Sequence, residues 1–224
     1  MSRIAYVNGR YLPLAAASVN VEDRGYQFSD GVYEVCEVRG GSLIDERRHI
    51  GRLQRSLSEL QIAMPMSPAA LGVVLREVVR RNRVRWGIVY LQISRGVSRR
   101  DHAFPPASTA PSIVVTARNL DLANAEKMAA DGVAVISVPE NRWERVDIKS
   151  VSLLPNVLAK QAAREQGAKE AWFVDEIRRE LRRRLSEAET SNYEMSGRFD
   201  LNWRGLARYS LSTSSLATEV CEKS

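Results

Sequence analysis

The sequence predicts an α+β fold in two lobes divided near residue 120. Three observations carry this. An Asn-Gly turn joins two short apolar strands at the start, two apolar stripes run at helical spacing between residues 45 and 80, and later β-rich runs mix with helices without a regular βαβ repeat. The expected division is an α+β lobe over 1–120, the start of a second lobe over 121–176, and a divergent tail over 177–224.

Asn8-Gly9 accepts the positive φ values of a tight hairpin turn, so Ile4 to Val7 and Tyr11 to Leu14 read as paired strands. Gly31 to Val38 reads as a strand that returns through Gly40-Gly41 into Ser42 to Ile44. Asp45 is read as capping a helix that presents Ile50, Leu53, Leu57 and Leu60 on one face. Ser67-Pro68 starts a second helix with the stripe Leu71, Val74, Leu75, Val78 and Val79. Gly87 to Ser94 and Pro111 to Ala117 are β-rich, and the polar loop between them, Arg95 to Thr109, is long enough to carry function. Asn119 to Asn124 reads as a linker, Gly132 to Val138 as a strand, Leu154 to Gln166 as a helix closed by Gly167, and Ala171 to Val174 as a strand.

Composition narrows the function. With 44% hydrophobic and 27% charged residues the chain is globular, and its apolar runs are too short to span a membrane. The net charge of +6 is interleaved with acids, which argues against a nucleic-acid surface. Two cysteines, Cys36 and Cys221, make no disulfide framework, and no signal peptide opens the chain, so a cytoplasmic setting is expected. His49 and His102 stand alone without metal-ligand spacing, and no Gly-rich nucleotide motif follows a strand.

Lysines are few: Lys127, Lys149, Lys160, Lys169 and Lys223. Of these Lys149 follows a short apolar stretch, where lost solvation would lower its pKa and free the amine to form a Schiff base with an aldehyde. Taken alone, the residue reads first as a surface lysine with a packed stem. Arg95, Arg99, Arg100 and His102 crowd the long loop, either as a solvated basic loop or as a grip for a carboxylate.

Glu22 to Glu34 (EDRGYQFSDGVYE), His49 to Leu53 (HIGRL), Ser94-Arg95-Gly96 with Arg100-Asp101-His102, and Asp147 to Ser150 (DIKS) ahead of Ala159-Lys160-Gln161 together resemble the D-amino-acid aminotransferases. These are fold-type IV enzymes dependent on pyridoxal phosphate, and the likeness runs to about Asp175. The resemblance implies transamination between a D-alanine-like amino acid and a 2-oxo acid. It implies that Lys149 holds the cofactor and shuttles the proton, and that Arg52 binds its phosphate. Tyr33, Arg100 and His102 would trap the substrate carboxylate, the last two from the partner subunit of a homodimer. Branched-chain aminotransferases and aminodeoxychorismate lyase share the fold and the lysine, and a non-catalytic remnant is the reading from another class.

Past Asp175 the sequence leaves the family pattern. The expected Thr-Glu-Gly-x-x-Ser-Asn, whose glutamate pairs with the pyridine nitrogen, does not arrive in place. Leu185 to Asn192 keeps its Glu-x-x-x-Ser-Asn spacing, which makes Glu187 the in-frame counterpart. If Ile177 to Arg183 are encoded ATA CGG AGG GAG CTT CGT CGA, reading from the third nucleotide gives Thr-Glu-Gly-Ala-Ser-Ser, so an out-of-frame tail is the competing expectation. Either way the second lobe is expected to be incomplete, with apolar surface left uncovered.

Overall fold

The computed structural model describes residues 3–175. Glu187 and the tail from 176 lie outside them. The described residues form two units, the first over 3–122 with 142–155, the second over 123–141 with 156–175.

The first unit is built on a six-stranded antiparallel sheet. Its strands are β1 (Ile4–Val7), β2 (Arg10–Pro13), β3 (Gly31–Arg39), β4 (Ser42–Leu43), β5 (Trp86–Ser94) and β6 (Ser112–Asn119), in the order β2-β1-β6-β5-β3-β4. Asn8 (φ 44°) and Gly9 (φ 91°) make the first turn, as their sequence predicts. Helix α1 (Arg24–Phe28) is a single turn before β3. Two longer helices, α2 (Glu46–Glu59) and α3 (Pro68–Arg81), lie against the sheet, α2 on β3 and α3 on β6, β1 and β5.

Strand alternation decides which side chains meet the helices. Val32, Cys36 and Val38 of β3, Val89, Leu91 and Ile93 of β5, and Ile113, Val115 and Ala117 of β6 are buried with Leu53, Leu57, Leu71, Leu75 and Val78. The opposite sheet face carries Tyr33, Tyr90, Gln92, Val114 and Thr116, all half-buried. Ser67 caps α3 as read, its Oγ accepting from Ala70 N at 3.2 Å. Asp45 does not cap α2 with its side chain. It sits in the left-handed region (φ 52°, ψ 28°), which turns the carboxylate away from the free amides, and its carbonyl accepts from Arg48 and His49 instead. Burial pushes the Cys36 thiol up to about 12, so it packs as a small hydrophobe.

Two carboxylates, Glu34 buried and Asp30 largely so, tie the unit together. Asp30 takes Arg24 (2.8 Å) and Arg95 (2.7 Å), and all three side chains are nearly sequestered. Arg95 also donates to the carbonyls of Leu60 and Gln61, so among the basic loop residues it is structural, and its guanidinium is already spent. Glu34, the one acid on the inward face of β3, takes Arg52 through both oxygens (2.6 and 2.7 Å) and lies 2.9 Å from His49 Nδ1. Burial alone would raise both carboxyls. The hydrogen bonds and charges of the cations outweigh it and hold each below its ordinary value, 3.8 for Asp30 and 4.5 for Glu34.

These depressed values set the sign of the pH dependence. Below the ordinary values the unfolded chain binds protons that the folded chain resists, so stability from these pairs is complete above about pH 4.5 and is lost as pH falls through the depressed values. The melting temperature is expected to fall on acidification below pH 4.5. A Tm that stays level down to pH 3 would show that these carboxylates contribute nothing.

The second unit holds α4 (Leu122–Asp131), β7 (Val135–Pro139), most of α5 (Leu154–Glu165) and β8 (Glu170–Val174). β7 and β8 pair in parallel, with Val135 opposite Glu170 and Val138 opposite Phe173. The crossover that a parallel pair requires contains α5. Gly167 (φ 72°) follows the helix end as predicted, whereas helix α4 begins inside the stretch read as a linker. Leu154, Val157 and Leu158 on α5 stand 68%, 59% and 60% exposed.

Candidate active site

Residues 147–151 cross the start of β3 as a strap. Tyr33 N donates to the Lys149 carbonyl (3.0 Å), Val151 N donates to the Gly31 carbonyl (3.1 Å), and Val32 and Ser150 form an isolated bridge. Here β3 has β5 on its other side, and β4 reaches only Val38 and Arg39, so the strap covers an otherwise open edge. Ile148, 4% exposed, anchors it in the core. From α2, Ser56 Oγ accepts from Lys149 N at 3.4 Å.

A cluster of charges fixes the approach to the strap. Arg55 donates to the Asp147 carbonyl (3.0 Å) and to its carboxylate (2.5 Å), while Arg145 joins Asp147 (3.0 Å) to Glu59 (2.6 Å). The hydrogen bond from Arg145, followed by that from Arg55, brings the Asp147 carboxyl down to about 2 against the opposing effect of burial. It therefore stays ionised and paired at any working pH. Both peptide groups of Lys149 are thus occupied in holding the chain, and the side chain is left to act.

That side chain is half-buried. Its Nζ stands 4.2 Å from the centroid of the Tyr33 ring, which stacks on Tyr90 at 5.8 Å. The next residue of β3, Glu34, holds Arg52, and Arg52 precedes Ser56 by one helical turn on α2. Lys149 is thus held against Tyr33 and Arg52 against Glu34, neighbours on β3 whose side chains point to opposite faces of the sheet. Arg52 spends Nε and one Nη on Glu34 and keeps its other Nη, on a side chain 47% exposed.

Arg100 and His102 occupy the loop after β5 and are exposed, and their ring contacts are with Phe28, at 4.7 and 5.3 Å. Arg24 pins this loop by donating to the carbonyls of Asp101 (2.6 Å) and His102 (3.4 Å). Glu187 lies outside the described residues. Among the described residues no group of three or more His, Cys, Asp or Glu could hold a metal, and no helix is long and apolar enough to cross a membrane.

The sequence reading missed Ser56, the Arg55–Asp147–Arg145–Glu59 cluster and the Asp30 pair. Only Glu34 left a signal, as an acid in the inward register of β3 between Val32 and Cys36.

Residues 31–197 match the family described as amino-transferase class IV. The D-alanine aminotransferase of Bacillus licheniformis is 42% identical over 167 residues, covering 75% of this chain and 58% of that protein. That of Listeria innocua is 40% identical over 166 residues, 74% of this chain and 57% of that protein. The chain thus spans under three fifths of the length of these relatives. Among solved structures, a T.th. branched-chain amino acid aminotransferase with pyridoxamine 5′-phosphate superposes with a TM-score of 0.68 at 22% identity, covering 79% of this chain and 60% of that one. The branched-chain aminotransferase of Thermoproteus uzoniensis gives 0.65 at 20% identity, covering 79% and 61%. At that identity the likeness shows the fold alone, and it is the fold-type IV architecture.

Proposed function

We propose, because the chain belongs to the amino-transferase class IV family, that it moves an amino group between a D-amino acid of the D-alanine kind and a 2-oxo acid, with pyridoxal phosphate as cofactor. The observation that carries this reading is the Lys149 amine, set over an aromatic face on a strap held through its backbone.

The donor set fits the cofactor. A lysine amine paired with no carboxylate among the described residues suits an aldehyde, and a guanidinium with a free nitrogen suits a phosphate. Lys149 and Arg52 would hold it, and Glu187 is proposed for the ring nitrogen. When bound, the cofactor supplies an electron-withdrawing ring that stabilises negative charge at the substrate Cα. The lysine Nζ carries the proton to and from that Cα, and its place above Tyr33 keeps one side of it away from water.

Tyr33 is proposed to bind the substrate carboxylate together with Arg100 and His102. Both loop residues are exposed and turned onto Phe28, which suits delivery to a second copy in a homodimer. The setting is proposed to be cytoplasmic, with neither nucleic acid nor membrane as partner. Relatives near 40% identity favour D-alanine over the branched-chain reading that the structural neighbours also suit.

The test is an absorbance spectrum of the chain after incubation with pyridoxal phosphate and removal of free cofactor. The expected result is a retained visible band that D-alanine bleaches and 2-oxoglutarate restores. A band answering to L-leucine alone would transfer the assignment to a branched-chain aminotransferase. No retained band means that the chain as it stands does not carry this activity.

A further inference from the structure

On the sheet face opposite α2 and α3, one row along from Tyr33, lies a cavity of about 340 Å³ lined by Asp23, Gly25, Gln92, Ser94, Ser112 and Val114 among others. Strand register fixes its place. Gln92 stands directly opposite Tyr33 on one side and Val114 on the other, and Ser94 stands opposite Gly31 and Ser112. Cross-strand neighbours lie about 5 Å apart. The cavity is therefore about one short aliphatic chain from the ring that carries the Lys149 amine.

Asp23 is what makes the cavity chemically particular. The residue is 4% exposed, and its Oδ1 accepts from Gly25 N at 2.8 Å. Its Oδ2 has no hydrogen-bond partner among the described residues. A buried carboxylate oxygen without a donor is costly, so a group that brings both positive charge and N–H donors is favoured there. The wall offers further polar atoms, since Ser94 Oγ accepts from Gly96 N and retains its own O–H, and Val114 with Val151 supplies apolar surface for a methylene chain. Gly25 keeps the space open. A Cβ at that position would come within 2.8 Å of Ser94 Cβ, 3.0 Å of Asp23 Oδ1 and 3.5 Å of the Gln92 amide nitrogen.

We propose that this cavity binds a primary ammonium group at the end of a short alkyl chain, and that it receives the side chain of a basic D-amino acid whose reacting end lies at Lys149. The second half rests on the transamination reading; the first does not. Asp23 Oδ2 accepts from the ammonium, the serine hydroxyls turn to complete its shell, and the methylenes lie along Gln92 and Val114. D-Alanine has no side chain long enough to reach Asp23, which makes it the internal reference.

Calorimetric titration of the full chain with n-butylammonium chloride, without cofactor, tests the site itself. Saturable binding is expected, with none for 1-butanol, which has the same chain without the charge. Asp23→Asn, which preserves the acceptor for Gly25 N, is expected to weaken binding at least tenfold, and Val114→Phe, which fills the cavity from the sheet, to abolish it. Absence of saturable binding to the parent chain, equal binding of 1-butanol, or survival of binding in a folded Asp23→Asn overturns the site. With cofactor present, Asp23→Asn is expected to lower the ratio of kcat/KM for D-ornithine to that for D-alanine at least tenfold. An unchanged ratio overturns the substrate assignment. A parent chain that turns over neither amino acid counts against the transamination reading, while the calorimetry still decides the cavity.

Discussion

Lys149→Ala is expected to lose all retained visible absorbance from pyridoxal phosphate and to lower transamination by about a thousandfold or more, since one side chain serves as both cofactor link and proton carrier. The structure separates this loss from misfolding. The strap is held by the Lys149 peptide groups, through Ser56 and Tyr33, by Ile148 in the core, and by Asp147 through Arg55 and Arg145. None of these contacts uses the lysine side chain, whose own contact is the Tyr33 ring. The folded state is therefore expected to lose less than about 1 kcal/mol. Urea unfolding measures that directly. A folded variant that keeps the cofactor band would remove Lys149 from its proposed role, and one that unfolds would overturn the stability expectation.

Asp30→Ala carries the largest expected cost in stability. Removal of this carboxylate leaves Arg24 and Arg95, with side chains 4% and 9% exposed, as two buried cations facing each other without their counter-ion. Breaking such a pair from one side costs about 3–5 kcal/mol. Both guanidiniums keep carbonyl partners, at Asp101 and His102 for Arg24 and at Leu60 and Gln61 for Arg95, but those satisfy hydrogen bonds and not charge. Asp30→Asn is expected to recover little, because the lost quantity is charge. The midpoint of urea unfolding is the readout, with Glu77→Ala, a half-buried carboxylate whose partners Arg80 and Arg81 are exposed, as a control expected to shift it far less. A shift for Asp30→Ala no larger than the control's would mean that the two arginines relax into water.

The parts of this fold that were legible in the sequence are those with a local physical cause. Asn8-Gly9 demands its turn, the Leu71 to Val79 stripe can bury only one helical face, and β3 alternates because its two faces meet different surroundings. Asp45 misled because a capping residue type does not fix the backbone conformation that caps, and its positive φ turned the side chain aside. The start of helix α4 was read as linker because Leu122-Ala123-Asn124 carries no apolar stripe to announce a helix, and none of the helix's residues is buried. In the site, Lys149, Arg52 and Tyr33 were legible through motif resemblance. Their means of support were not. Ser56 lies 93 residues from Lys149 and Arg55 lies 92 from Asp147, and pairing at that distance leaves no trace in composition or period. Arg95 could not be told from Arg99 and Arg100 by type; its bonds to Asp30 and to the Leu60 and Gln61 carbonyls distinguish it.

The strap has a consequence for the order in which the chain emerges during synthesis. Gly31 and Tyr33 are the residues that receive it, and Val151, which bonds Gly31, comes 120 residues later. At roughly 5–20 residues per second the ribosome takes about 6–24 seconds to cover that interval. By then β5 and β6 have been made and the sheet can be paired through Asn119, with α2 and α3 against it. The open flank of β3 therefore waits, with backbone groups unpaired, for the segment that brings Lys149. The lysine arrives after the sheet and helices that hold it have been made.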